Sequence, residues 1–124
     1  MNVIDSSGWL EFFAAGANLA FFAPPIMDVE SLVVPSICIQ EVFRRTLQLR
    51  GERDALQVAA QMQQGRVVPH DGKIALAAAR IGFDLKLPLA DSIVLATARA
   101  SGAVLWTQDA DFEKIPGVRY VRKS

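Results

Sequence analysis

The stretch Leu87–Ala98, LPLADSIVLATA, decides how the rest of the chain is read. Pro88 suits a first helical turn, where a missing N–H breaks no bond. Ile93, Val94, Leu95, Ala96 and Ala98 then leave almost no polar face, and a helix apolar nearly all round belongs in a core. Asp91 falls on the same side as Val94, Leu95 and Ala98 by the i, i+3, i+4, i+7 spacing. A carboxylate buried without a partner is costly, so proteins pair it, ligate it or protonate it. Asp91 therefore calls for a partner that its own helix does not supply.

Outward from this helix, short β-branched runs alternate with longer helical ones. NVI (Asn2–Ile4), LVVP (Leu32–Pro35), RVVP (Arg66–Pro69), AVLW (Ala103–Trp106) and VRYV (Val118–Val121) read as strands, the last at an edge. SGWLEFFAA reads as a helix opened by Ser6 or Ser7 as N-cap, and the Pro24–Pro25 pair as a break. Ser36 is expected to cap a helix ending at Gly51, and a further helix covers roughly Asp54 to Gln64 before Gly65. Asp71 is expected to cap GKIALAAARIG, and the Asp91 helix closes near Gly102. Strands alternating with helices make βαβ units, hence an α/β fold with a mainly parallel sheet covered on both faces. The 124 residues suit one domain, 1–124, with a modest core.

Thirteen Lys+Arg balance thirteen Asp+Glu, so no global basic field draws nucleic acid, and any such binding is local. The lone Cys38 excludes an internal disulfide and reads as a buried, inert thiol, consistent with a cytoplasmic setting. The N-terminus lacks a basic run and is interrupted by Asp5 and Glu11, unlike a signal peptide. The uncharged run Phe12–Met27 is too short and too broken to span a membrane. Within it, NLAFFAPP reads as core, with Phe21 and Phe22 as an alternative partner surface.

In a parallel sheet the ligand sits beyond the carboxyl ends of the strands. Asp5 directly follows the first strand, Glu41 lies in the second turn of the helix after the second, and Asp109 and Asp111 follow the fourth. Asp91, early in its helix, can face the same edge. Each acid also has a purely structural explanation. Asp5 can accept from helix N–H groups, Glu41 can pair with Arg45 at i, i+4, and Asp109 or Asp111 can cap a turn before Phe112. The joint pattern carries more weight. Two carboxylates about 4 Å apart repel by roughly 4 kcal/mol at an effective dielectric near 20, so several together need a counter-charge or protons. No Lys or Arg adjoins Asp5, Asp91 or Asp109 in sequence. An all-oxygen donor set points to Mg²⁺ or Mn²⁺ rather than Zn²⁺, and the lone His70, read as a loop residue, builds neither a zinc site nor a triad. Such an ion suits phosphoryl chemistry. With no glycine-rich phosphate loop in the chain, a phosphodiester fits better than a nucleoside triphosphate.

NVIDSSGWLEFF, EVFRR, LPLADSIVLATAR and WTQDADFEKIPGVRYV resemble, in order and over essentially the whole chain, the successive motifs of PIN-domain proteins, and most of all VapC toxins of toxin–antitoxin pairs. The resemblance implies a PIN-like three-layer α/β/α sandwich and an Mg²⁺- or Mn²⁺-dependent endoribonuclease that leaves a 5′-phosphate and a 3′-hydroxyl. The family's acidic quartet matches Asp5, Glu41, Asp91 and Asp109 as catalytic residues. Metal would be held by Asp5, Asp91, Asp109 and the additional acid Asp111, with Glu41 completing the site or positioning the attacking water. Ser6 and Thr107 match hydroxyl residues that would orient these carboxylates. A VapB-like antitoxin whose C-terminal segment blocks the site, and a homodimer, are also implied.

In the basic run RRTLQLRGER, Arg44 and Arg45 are candidate RNA contacts, one turn beyond Glu41. A receiver-type domain would need a phosphoacceptor Asp on a central strand and a late lysine after another strand, and neither setting is clear. A haloacid-dehalogenase-like phosphatase would need an acid where Ser7 stands. The main alternative is a catalytically silent PIN-like module that acts through a protein partner.

Overall fold

A computed structural model describes residues 1–124. Five strands are observed: β1 (Asn2–Ile4), β2 (Leu32–Pro35), β3 (Arg66–Val68), β4 (Val104–Thr107) and β5 (Val118–Tyr120). Six helices accompany them: α1 (Ser6–Phe13), α2 (Leu19–Met27), α3 (Ser36–Arg50), α4 (Glu52–Met62), α5 (Gly72–Leu85) and α6 (Leu89–Ala100). The strands form one sheet in the order β3-β2-β1-β4-β5, and every pairing is parallel, so the expected mainly parallel sheet is wholly so. Val3 lies beside Val33 on one side and Leu105 on the other. β5 is indeed an edge strand.

Helices flank the sheet. α1 and α2 rest against β1, α3 against β2, and α6 against both β2 and β4, while α4 packs on α3 and α5 on α6. The main core joins Val3, Ile4, Val33, Val34 and Leu105 of the strands to Trp9, Phe22, Val42 and Leu95 of the helices. Each such side chain contributes about 1.5–3 kcal/mol by leaving water. A smaller cluster, Ile74, Ala78, Ile93 and Ala96, seals α5 onto α6. Residues Ser92 to Ala98 are all buried, as the apolar run of this helix requires. No helix is long and apolar enough to cross a membrane.

Several local expectations are corrected. Asp5, not Ser6 or Ser7, is the N-cap of α1. Pro88 is the cap residue of α6 rather than part of its first turn. Ser36 does not cap α3; its hydroxyl instead accepts from the His70 N–H at 3.1 Å, and His70 is an exposed loop residue. Asp71 does cap α5, accepting from Ile74 N at 2.9 Å. The Pro24–Pro25 pair does not break the chain, because it lies inside α2. Prolines there remove two helical donors, yet Phe22, Pro25 and Ile26 are buried at i, i+3, i+4 spacing, and that packing holds the turn. Phe22 is buried in the main core, and the partly buried Phe21 packs against it, its ring centroid 5.1 Å from that of Trp106, so both rings face the core. Cys38 is free and buried, and burial pushes its thiol well above the usual range.

Candidate metal centre

β1 is central, and the strand order reverses between it and β4, so the carboxyl ends of these neighbours form a switch point of the kind that houses ligands in α/β sheets. Asp5 follows β1, and its backbone N–H still reaches β4, donating to Trp106 O at 3.2 Å. As N-cap, Asp5 accepts from Gly8 N at 2.9 Å through Oδ1. Ser7 Oγ lies 2.8 and 2.9 Å from its two oxygens, and Thr107, the last residue of β4, donates to Oδ2 at 2.6 Å. Asp5 is only 4% exposed. Burial pushes its carboxyl up to about 6; the Thr107, Gly8 and Ser7 hydrogen bonds pull the other way, and the negative charge of Asp109 adds to the rise.

Asp109 caps the 3₁₀ turn Ala110–Phe112, its Oδ1 accepting from Asp111 N at 2.9 Å. Asp91 stands in the first turn of α6, half-buried. Oxygens of Asp91, Asp109 and Asp111 lie within 4.8 Å of one another. Burial first, then the negative charges of Asp109, Asp5 and Asp111, push the Asp91 carboxyl up to about 7. No lysine, arginine or histidine pairs with any of these acids; the one salt bridge in the chain, Arg80–Asp84, is on the exposed face of α5. An all-carboxylate cluster with crowded charge and no ion-paired cationic side chain fits a hard divalent ion such as Mg²⁺ or Mn²⁺.

The structure thus brings Asp91, Asp109 and Asp111 together and sets Asp5 beside them, its carboxylate accepting from Ser7, Gly8 and Thr107. Glu41 is outside the triplet. Its Oε1 accepts from Ser6 Oγ at 2.6 Å, not from Arg45, whose guanidinium donates to Gln48 at 3.2 Å. Both hydroxyls singled out in the sequence therefore contact carboxylates: Ser6 holds Glu41 and Thr107 holds Asp5. Thr107 Oγ1 also accepts from Asp109 N at 2.9 Å, tying the two acidic loops to one side chain. Arg44 and Arg45 are exposed on α3.

Sequence reading missed two contributors. Ser7 shares the Asp5 carboxylate, and the Asp-Ser-Ser run was the available signal. Gln108 is buried beside Asp109 and accepts from Asn18 Nδ2 at 2.9 Å, a contact across 90 residues that no local pattern announces.

The PIN-domain family model matches residues 3–118. No curated protein is similar enough to match the chain. Among solved structures, a toxin–antitoxin complex from Klebsiella pneumoniae superposes with a TM-score of 0.77 at 24% identity, covering 95% of each chain. The VapC20 toxin of Mycobacterium tuberculosis, which cleaves the sarcin–ricin loop, gives 0.76 at 17% identity over 99% of this chain and 100% of that one. A DNA-bound VapBC complex from Salmonella typhimurium gives 0.75 at 17% identity, covering 98% and 96%. At these identities the superpositions establish the fold, and the match from Val3 to Val118, which takes in all five acids, establishes that the chain belongs to the PIN-domain family.

Proposed function

We propose that this chain is an Mg²⁺- or Mn²⁺-dependent endoribonuclease, the toxin of a VapBC-type pair, hydrolysing RNA phosphodiester bonds in the cytoplasm. The observation that carries the reading is the meeting of Asp91, Asp109 and Asp111 oxygens within 4.8 Å, beside a buried Asp5 and with no cationic side chain at ion-pair distance. The sarcin–ricin loop activity of a structural neighbour supports structured RNA as the substrate class.

When bound, a divalent ion supplies water activation and neutralises charge at the scissile phosphate. Asp91, Asp109 and Asp111 would hold it, with Asp5 as a further ligand. Asp5, fixed by Ser7, Gly8 and Thr107, adds negative potential to the site and keeps the Thr107 hydroxyl aimed, which in turn fixes the Asp109 loop. Glu41, oriented by Ser6, would position the attacking water and accept its proton.

The antitoxin and a second copy of the chain are part of the same proposal. A cleft of about 290 Å³ between α1, α3 and α4, lined by Leu10, Phe13, Leu49 and Val58, suits an apolar antitoxin segment. Leu76 and Phe83, seven residues apart on α5 and 77% and 82% exposed, suit a copy-to-copy contact.

The test is cleavage of a pool of structured RNAs by purified protein with Mg²⁺ or Mn²⁺, beside EDTA and Asp91→Asn controls. Cuts lost in both controls support the enzyme. A folded, metal-binding protein that cuts nothing points to the silent module instead.

A further inference from the structure

A second cleft opens next to the acids and has no role in the reading above. It measures about 470 Å³ and is lined by Ser7, Gln108, Asp109, Tyr120, Arg122 and Lys123. Asp109 belongs both to this cleft and to the acidic triplet, so the two are continuous. Residues 121 and 122 are moored along it. Val121 N donates to Thr107 O at 3.0 Å, and Asn18 Nδ2 donates both to Arg122 O at 3.0 Å and to Gln108 Oε1 at 2.9 Å. One asparagine thereby fixes residue 122 relative to the residue preceding Asp109.

Arg122 and Lys123 have no acidic partner within salt-bridge distance, although Asp109 lines the same cleft. Tyr120 is half-buried in the cleft wall and makes no hydrogen bond through its phenol. An RNA strand entering the site meets a chemical difficulty here. A divalent ion held by the acids would neutralise the scissile phosphate, but a neighbouring phosphate would still meet uncompensated carboxylates. Two unpaired cations and an aromatic side chain, in the cleft that Asp109 also lines, answer that difficulty. Cations neutralise a phosphate, and an aromatic ring accepts a stacked base whatever its identity.

We propose that this cleft is a nucleotide subsite beside the scissile bond, in which Arg122 and Lys123 bind the adjacent RNA phosphate and Tyr120 stacks on its base. The inference rests on the ribonuclease reading and extends it to residues that act in substrate binding, not in bond cleavage.

The test uses the full chain and, as probe, the stem-loop cut fastest from a structured RNA pool. Initial rates are measured against RNA and salt concentration for wild type, Arg122→Ala/Lys123→Ala, Tyr120→Ala and Arg122→Lys. The double variant is expected to raise KM about tenfold with kcat within twofold, and to flatten the salt dependence of log kcat/KM by about 0.7, the value for one phosphate contact on a single strand. Tyr120→Ala is expected to raise KM about fivefold or more, as lost base stacking would, and Arg122→Lys to retain most of the affinity. Wild type that cuts no RNA overturns the ribonuclease reading and this subsite with it. An active wild type beside a double variant with unchanged KM and salt slope overturns the subsite alone. Competition by polyglutamate that disappears in the double variant, with KM for RNA unchanged, assigns the cleft to an acidic protein segment and overturns the RNA assignment.

Discussion

The Thr107 hydroxyl donates to Asp5 Oδ2 at 2.6 Å while accepting from Asp109 N at 2.9 Å. One side chain at the end of β4 therefore secures the acid that follows β1 and the loop that carries two more. Thr107→Val keeps the shape and removes the hydroxyl. Removing a hydrogen bond to a buried charged group costs about 1–3 kcal/mol, and the loss should fall near that range because Ser7 and Gly8 still hold Asp5. RNA cleavage should drop by about tenfold or more as the Asp109 loop loosens. Thermal melting and initial rates of the same preparation check both effects, and an unchanged rate would remove Thr107 from the site's support.

Asp91→Asn should abolish metal-dependent cleavage by a factor of 10² or more while leaving the fold intact. The metal-free variant should also be more stable than wild type at pH 7.5. Wild-type Asp91 must ionise there against burial and three neighbouring acids. For a half-exposed group, after allowance for solvent screening, the gain is about 1–2 kcal/mol. Denaturant melts in EDTA measure it, and a loss of stability would mean that the ionised carboxylate is satisfied without metal.

Stability of the metal-free protein should fall as pH rises. Asp5 and Asp91 titrate near 6 and 7 when folded, against an ordinary 3.8. Between about pH 4 and 7 the folded chain holds more protons than the unfolded one, so each step up in pH favours unfolding, and the effect levels off above about 7. Mg²⁺ or Mn²⁺ should reverse the trend, because binding requires the ionised carboxylates and grows stronger as they deprotonate. A Tm series from pH 5 to 8, with EDTA and with excess metal, should give two lines that diverge with pH. Parallel lines would separate the ion from these acids.

Gly8 sits where α1 crosses the core. A Cβ there would lie 2.6 Å from both Ile4 Cγ2 and Phe22 Cε1. Gly8→Ala should cost about 1–3 kcal/mol by overpacking, and the shift of α1 should reach Asp5 through its bond to Gly8 N. A variant as stable as wild type would show that the α1–α2 contact yields more readily than its burial implies.

If α5 is the face where two copies meet, Phe83→Asp should convert the protein to a monomer without loss of helicity. Phe83 is 82% exposed, so the change costs the folded chain little by itself. Light scattering across a concentration series distinguishes the outcomes, and a wild-type monomer at high concentration would remove the dimer from the proposal.

The chain's own pattern was enough for the α/β architecture. The run NVI at 2–4 and the apolar run of α6 are legible because strand and helix periodicities are local, and Asp71 is legible as a cap because a cap acts within three residues. The Asp5, Glu41, Asp91 and Asp109 positions were also visible, since each falls beside the end of a strand or near the start of a helix. Tertiary structure decided the rest. Packing of Phe22 and Ile26 carries α2 through Pro24 and Pro25 against local propensity. Which acids meet depends on the order β3-β2-β1-β4-β5, which sets β1 beside β4 although about a hundred residues separate them. Ser6 finds Glu41 across 35 residues, and Asn18 finds Gln108 across 90. Hydrogen bonds and charges act over a few ångströms, and only the folded chain brings such residues that close.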